Sequence, residues 1–266
     1  MRKHDRRAEP KAGAPQEGTS LIVRFILSVW VWTNLLFATI GLSALTVVFS
    51  WFRASMKYFD WTNRTWARWM LRVSGVKVRV EGGENAPAGE PKIFVSNHRS
   101  WFDVFALSAS LPGRCRFVAK KELARIPVFG RAWQVAGHIC VDRGDRQSAV
   151  RSLEEAGNLM RANSSGVIIF AEGTRSPNEN LLPFKKGAFM LALHTGVDIV
   201  PIGVNGSGEV LRKGGFLVRP GTITIRIGTP IRVAELGFET RDKLMKMTRA
   251  EIERLTGRTT QPSTAS

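Results

Sequence analysis

Apolar and polar positions divide the chain into four stretches. Residues 1–20 are polar, charged and studded with Gly and Pro. They bury too little apolar surface to offset the entropy of ordering, so the pattern predicts a flexible tail. Residues 25–52 then carry no charged side chain. As a helix this run would reach about 42 Å, against a hydrocarbon core of about 30 Å, which assigns it to a membrane. A cleaved signal peptide fits less well, because the run is too long for one and lacks a clear small-residue cleavage site. Basic residues flank both ends: Arg2, Lys3, Arg6, Arg7 and Arg24 before, Arg53, Lys57, Arg64, Arg68 and Arg72 after. A single span carries its positive excess on one side. The symmetry therefore favours a hairpin or a dipping helix pair, broken at Asn34 or at the Gly41-Leu42-Ser43 step. Over 51–71, Trp51, Tyr58, Trp61, Trp66 and Trp69 are set among arginines, the pattern of a helix lying at headgroup level.

Beyond Val73 the periodicity changes to short β runs separated by helical ones. Val76, Val78 and Val80 alternate with Lys77 and Arg79, and Ile223, Ile225 and Ile227 repeat that period, so both are expected to be edge strands. Residues 93–95, 117–119, 139–141, 167–170 and 199–204 are continuous apolar runs of the kind covered on both faces, and are expected to form the sheet's interior. Between the third and fourth of these runs, Ala149, Val150, Leu153, Ala156, Leu159 and Met160 make one helical stripe, begun by an Asp145 cap and ended near Gly166. Strand, helix, strand implies a parallel crossover. The fold class is thus α/β: a mixed, largely parallel central sheet of about seven strands flanked by helices, with an N-terminal membrane-embedded helical hairpin or span. The expected division is a tail over 1–20, a membrane-associated helical segment over 21–73, an α/β domain over 74–257 and a second tail over 258–266.

Charge narrows the partners. Lys and Arg number 39 against 22 Asp and Glu, a formal charge of +17. Such a surface suits anionic lipid, phosphate esters or acidic proteins. Nucleic acid is disfavoured, because the basic residues are spread along the chain and the Trp cluster adjoins the membrane segment. The two cysteines, Cys115 and Cys140, have neither a metal-ligand nor a redox spacing and are expected to be free, reduced and buried.

Candidate chemistry gathers at strand ends, where α/β sheets present their ligands. The run ending at Ser96 leads into Asn97-His98-Arg99-Ser100-Trp101-Phe102-Asp103. If His98 sits in the turn before a helix and Asp103 in its first turn, the carboxylate fixes the imidazole tautomer and leaves the other ring nitrogen as a general base. Taken alone, the pair is also what a helix-capping segment would show. The run ending at Phe170 leads into Ala171-Glu172-Gly173-Thr174-Arg175-Ser176-Pro177. Arg175 offers a planar fork suited to phosphate, and Glu172 could hold that fork or a substrate hydroxyl, or simply brace the loop as an ion pair. Lys120 and Arg143 follow two further strand ends and would neutralise a phosphate, the bland alternative being solvated surface cations. Pro201 stands inside an apolar strand, which implies an edge, a bulge or a groove wall.

In that order, Asn97-His98 with Asp103, Gly137 to Arg143, the 170–176 turn and Val200-Pro201-Ile202 resemble the four blocks of the glycerolipid acyltransferases, especially the bacterial 1-acylglycerol-3-phosphate acyltransferases. The resemblance covers roughly 76–229. It implies that His98 is the general base and Asp103 its orienting partner. It further implies that Arg143, Glu172, Gly173, Thr174 and Arg175 bind glycerol phosphate, that Lys120 contacts phosphate, and that Pro201 belongs to the acyl-donor block. Ala171 departs from the Pro common at its position, and 207–215 is an irregular insertion with no assigned role. The implied reaction moves an acyl group from acyl-CoA or acyl carrier protein to the 2-hydroxyl of lysophosphatidic acid, with no metal or other cofactor. The implied location is the inner (cell) membrane, with the catalytic domain facing the cytoplasm and anionic lipid and a lysophospholipid acceptor as partners. The alternatives are glycerol 3-phosphate or another lyso-lipid as acceptor and, from another class, a non-catalytic basic protein of the membrane surface.

Overall fold

The computed structural model describes residues 20–52, 56–142, 146–234 and 236–258. The predicted tails thus lie almost wholly outside the described residues. Seven strands, β1 (Val76–Glu81), β2 (Lys92–Ser96), β3 (Cys115–Lys120), β4 (Ile139–Val141), β5 (Gly166–Phe170), β6 (Ile199–Asn205) and β7 (Gly221–Ile227), form one sheet. Its order is β1-β7-β6-β2-β5-β3-β4. Every neighbouring pair is parallel except β6 with β7.

Strand side chains alternate between the two faces, and each face is covered by helices. On one, Phe94, Ile168 and Ile223 pack with Ala67, Met70 and Leu71 of α2 (Met56–Val73) and Phe102 and Phe105 of α3 (Trp101–Ser110). On the other, Ile93, Val95 and Val167 meet Met160 of α5 (Arg146–Asn163), Phe189 of α6 (Gly187–Thr195) and Ile252 of α8 (Arg241–Thr256). Burying each such side chain is worth about 1.5–3 kcal/mol.

Two strand positions differ from the sequence expectation. β7 is interior, between β1 and β6. Its alternation reflects unequal cover of the two faces, since Ile223, Ile225 and Ile227 enter the core while Thr224 and Arg226 are only half-buried. β4, expected inside, is an edge strand paired with β3. Its apolar run is covered by a helix rather than by a second strand, with Ile139 packing in the cluster that holds Ala156 and Met160 of α5.

The N-terminal region is a helical hairpin. α1 (Leu21–Trp51) runs unbroken for 31 residues, about 46 Å, and α2 packs back along it. The antiparallel pairing follows from Phe49 against Tyr58 (ring centroids 4.7 Å), Trp66 Nε1 donating to Thr39 Oγ1 (3.0 Å) and Trp69 Nε1 donating to Asn34 Oδ1 (3.3 Å). Neither Asn34 nor Gly41 breaks the helix. The Asn34 amide donates to the Trp30 carbonyl and accepts from Trp69, so it clamps the pair instead. Most of the apolar surface of α1 is uncovered, with Leu21, Ile22, Phe25, Ile26 and Phe37 all more than half exposed. Its inner side joins the core through Val31. The segment just beyond the 207–215 insertion, which itself holds the short α7 (Ser207–Val210), secures it there: Phe216 O accepts from Trp32 Nε1 (2.9 Å) and Val218 N donates to Ser28 Oγ (2.8 Å).

Candidate active site

The two motif turns meet because β2 and β5 are parallel neighbours in register from Lys92 with Gly166 to Ser96 with Phe170. Their carboxyl ends therefore release the chain side by side. Three hydrogen bonds stitch the turns together: Ala171 N to Ser96 O (3.0 Å), His98 N to Glu172 Oε1 (2.8 Å) and Ser176 N to His98 O (2.7 Å). Asn97 ties the same turn to β6, its amide donating to Val204 O and accepting from Val204 N.

His98 Nδ1 lies 2.8 Å from Asp103 Oδ2. The same oxygen accepts the backbone N–H groups of Arg99 (2.7 Å) and Ser100 (2.9 Å). Ser100 caps α3 reciprocally, its hydroxyl accepting from Phe102 N. Capping and orienting were competing readings of Asp103, and the geometry has it do both, since a capping-box carboxylate at the third helical position reaches back to the residues before the helix. Asp103 is fully buried, and the His98 side chain keeps about an eighth of its surface open (13%). The ring also stacks on Phe170, centroids 3.8 Å apart. A neutral imidazole that gives its Nδ1–H to a carboxylate keeps its lone pair on Nε2, the atom a general base uses.

Glu172 is buried and gives both oxygens to backbone donors, His98 N and Leu182 N (2.9 Å). Burial pushes its carboxyl above the usual range, opposed by those two hydrogen bonds and by the nearby imidazole. Gly173 turns the chain at φ 72°, a left-handed conformation that a side chain would strain. Thr174 is exposed on this turn. Arg175 lies over the Trp101 ring at 5.1 Å. Partial burial lowers its pKa, while the charge of Asp103 pulls it back up. Lys120 is exposed at the carboxyl end of β3, on the strand next to β5.

Pro201 is buried in the third position of central strand β6. Of the edge, bulge and groove-wall readings, the central place of β6 removes the edge, and the proline sits at a break in the ladder. Ile199 bridges Ile231 and pairing with β7 resumes at Ile202, so the missing N–H falls at the gap. Arg143 lies outside the described residues. Among the described residues, no group of three or more His, Cys, Asp or Glu side chains could hold a metal ion.

Sequence reasoning missed the aromatic residues packed around these turns. Phe170 reads as core, yet it stacks on the imidazole. Trp101 lies under Arg175. From Phe170 the aromatic contacts continue to Phe117 (6.2 Å) and on to Trp133 and His138. The last two line a shallow apolar groove between α1, α2 and α4 (Phe129–Val135), together with Leu42, Phe59, Trp66 and Phe129. His138 Nδ1 accepts from Phe117 N, and burial together with Arg116 pushes its pKa down to about 3.

Residues 77–205 match the family model described as Acyltransferase. A 1-acyl-sn-glycerol-3-phosphate acyltransferase of Limnanthes douglasii is 35% identical over 178 residues, 67% of this chain and 63% of that protein. The human 1-acyl-sn-glycerol-3-phosphate acyltransferase alpha is also 35% identical, over 59% of this chain and 56% of its own. This chain spans about three fifths of the length of such curated relatives. The crystal structure of the 1-acyl-sn-glycerophosphate (LPA) acyltransferase PlsC from Thermotoga maritima shares the fold, with TM-score 0.74 at 24% identity over 90% of this chain and 99% of that one.

Proposed function

We propose that residues 77–205, which match the Acyltransferase model, form an acyltransferase domain, and that the protein acylates the 2-hydroxyl of lysophosphatidic acid to give phosphatidic acid, with an acyl thioester as donor. The observation that carries the reading is the His98–Asp103 pair at 2.8 Å, stitched to the turn bearing Arg175. His98 Nε2 takes the hydroxyl proton as the oxygen attacks the thioester carbonyl, and backbone N–H groups of the turns stabilise the oxyanion. Collapse of the tetrahedral intermediate breaks the C–S bond, and the imidazolium returns the proton to the departing thiolate. No covalent enzyme intermediate is needed. Arg175, Lys120, Arg143 and Thr174 are assigned to the phosphate and glycerol. Glu172, with both oxygens given to backbone donors, acts by holding the His98 turn in place. Pro201 is too buried to offer a donor more than an indirect contact.

The substrate supports a membrane seat. Each methylene is worth about 0.8 kcal/mol, so a long acyl chain stays in the bilayer unless an apolar groove replaces it. Leu21, Ile22, Phe25, Ile26 and Phe37, exposed on α1, give the protein the apolar surface to meet the chain there. We therefore place the protein on the cell membrane, anchored by α1 and α2, with its catalytic domain on the cytoplasmic face, where coenzyme A and carrier-protein thioesters are available. The positive surface suits anionic lipid and either donor.

An acceptor panel tests the reading. Purified protein in mixed lipid vesicles should acylate lysophosphatidic acid from acyl-CoA or acyl carrier protein far faster than glycerol 3-phosphate or a lyso-lipid with a zwitterionic headgroup. Equal or better use of either competitor would overturn the acceptor assignment, and no transfer from any thioester would overturn the enzymatic one.

A further inference from the structure

The connection from β3 to α4 makes an apolar tip. Arg125, Ile126, Pro127 and Val128 are four consecutive exposed residues, with Ile126 and Val128 at 45% and 43% exposure. This tip is braced. Val128 adopts φ 64°, ψ −57°, and Phe129 N donates to Pro127 O at 2.6 Å across it. That is the three-residue turn of the strained, uncommon hand, and a β-branched residue is poorly suited to it. Gly130 locks the arrangement from behind. Its N–H donates to Ile126 O (2.7 Å), and a Cβ there would come within 2.1 Å of Ala124 O. Strain of this kind persists where surrounding structure over-determines it, and here its effect is to hold Val128 outward.

The tip adjoins the helical hairpin. Phe129, the next residue, lines the groove shared with Thr39, Leu42, Ser43 and Thr46 of α1. On α1, Leu45, Val48 and Phe49 are exposed over the same stretch of helix, so the uncovered apolar surface of the hairpin is extended by Ile126 and Val128. Lys120, Arg125 and Arg131 flank the tip along the chain and are exposed, as is Glu122, with Lys121 half-buried among them. Lys121 is paired with Asp142. An apolar apex with a basic collar is the pattern of a segment that enters hydrocarbon beneath anionic headgroups.

We propose that residues 126–128 insert into the bilayer as a third attachment point beside α1 and α2. This rests on the membrane seat proposed above. Two helices paired along one line leave the domain free to roll about that line. A third point away from it fixes the roll, and with it the height of the strand ends that carry His98 and Lys120.

Environment-sensitive fluorophores report the depth directly. Single cysteines are placed by Ile126→Cys and Val128→Cys on the tip, Phe37→Cys on the outer face of α1 and Glu84→Cys at the far end of the domain. The native thiols are retained, since burial pushes Cys115 up to about 12 and raises Cys140, and protein without an added cysteine measures their residual labelling. In vesicles of phosphatidylglycerol and phosphatidylcholine, labels at 126, 128 and 37 should be quenched by lipids spin-labelled on the acyl chain and shielded from iodide. A label at 84 should show the reverse. If 37 is quenched by lipid while both 126 and 128 respond only to iodide, the third attachment is wrong and the membrane seat stands. If 37 also responds only to iodide, the seat itself fails. Two tip positions guard against one substitution disturbing the strained turn.

Discussion

At the residue scale, the site depends on Glu172, both of whose carboxylate oxygens are committed to backbone donors. Glu172→Ala would leave His98 N and Leu182 N without their acceptor, at about 1–3 kcal/mol for each buried donor. Thermal melts should show that loss, and Glu172→Gln, which keeps one acceptor oxygen, should recover about half of it. Melts unchanged by Glu172→Ala would show that neither bond matters. The sequence located Glu172 at a strand end but suggested Arg175 or substrate as its partner. A backbone N–H is carried by every residue except proline, so nothing in the sequence marks the donors at positions 98 and 182. His138 gives a signed pH prediction. Its folded pKa of about 3 lies below the unfolded value near 6.5, so unfolded chains bind a proton that the folded ring refuses. That contribution is present above pH 6.5 and is lost as pH falls towards 3, by roughly 5 kcal/mol at most. His138→Gln keeps an acceptor for Phe117 N and should flatten this acid limb in melts taken across that range. An equally steep limb in the variant would assign it to other groups.

At the element scale, periodicity located most of the strands and could not give their neighbours. Alternation reports how the two faces of a strand are covered, whereas sheet order depends on crossovers, and this is why β7 and β4 exchange their expected interior and edge positions. The flanking arginines suggested a bend inside residues 25–52, whereas α1 runs straight through that stretch and the hairpin forms between α1 and α2. Asn34 and Gly41 are helix-weakening residues in water, and in α1 Asn34 instead finds a partner in Trp69. The segment just beyond the 207–215 insertion had no pattern to read, because its partners lie on α1, almost two hundred residues earlier. Phe216 packs against Phe25 and Trp32 there. Phe216→Ala should therefore raise hydrogen exchange of α1 amides near residues 25–32 and leave β2 and β5 protected. Unchanged exchange near 25–32 would show that this segment does not secure the helix.

At the scale of the whole molecule, the hairpin and the α/β domain share one core. Val31 of α1 and Ala67, Met70 and Leu71 of α2 lie in the same cluster as Phe94, Phe102 and Ile168. Removing residues 1–55 strips Val31, with Leu27, Trp32 and Leu35 packed around it, from that cluster, and the shortened chain should elute as aggregate from a sizing column. A monodisperse, active fragment would make the helix an anchor only. The central claim is that the imidazole held by Asp103 performs acyl transfer to a lysophospholipid, and the most direct measurement is turnover of His98→Ala on lysophosphatidic acid in vesicles. General-base assistance is worth about 10²- to 10⁴-fold, so activity should fall by at least that range while the melting temperature stays close to that of the parent protein. Near-normal turnover by a folded His98→Ala protein would contradict the account.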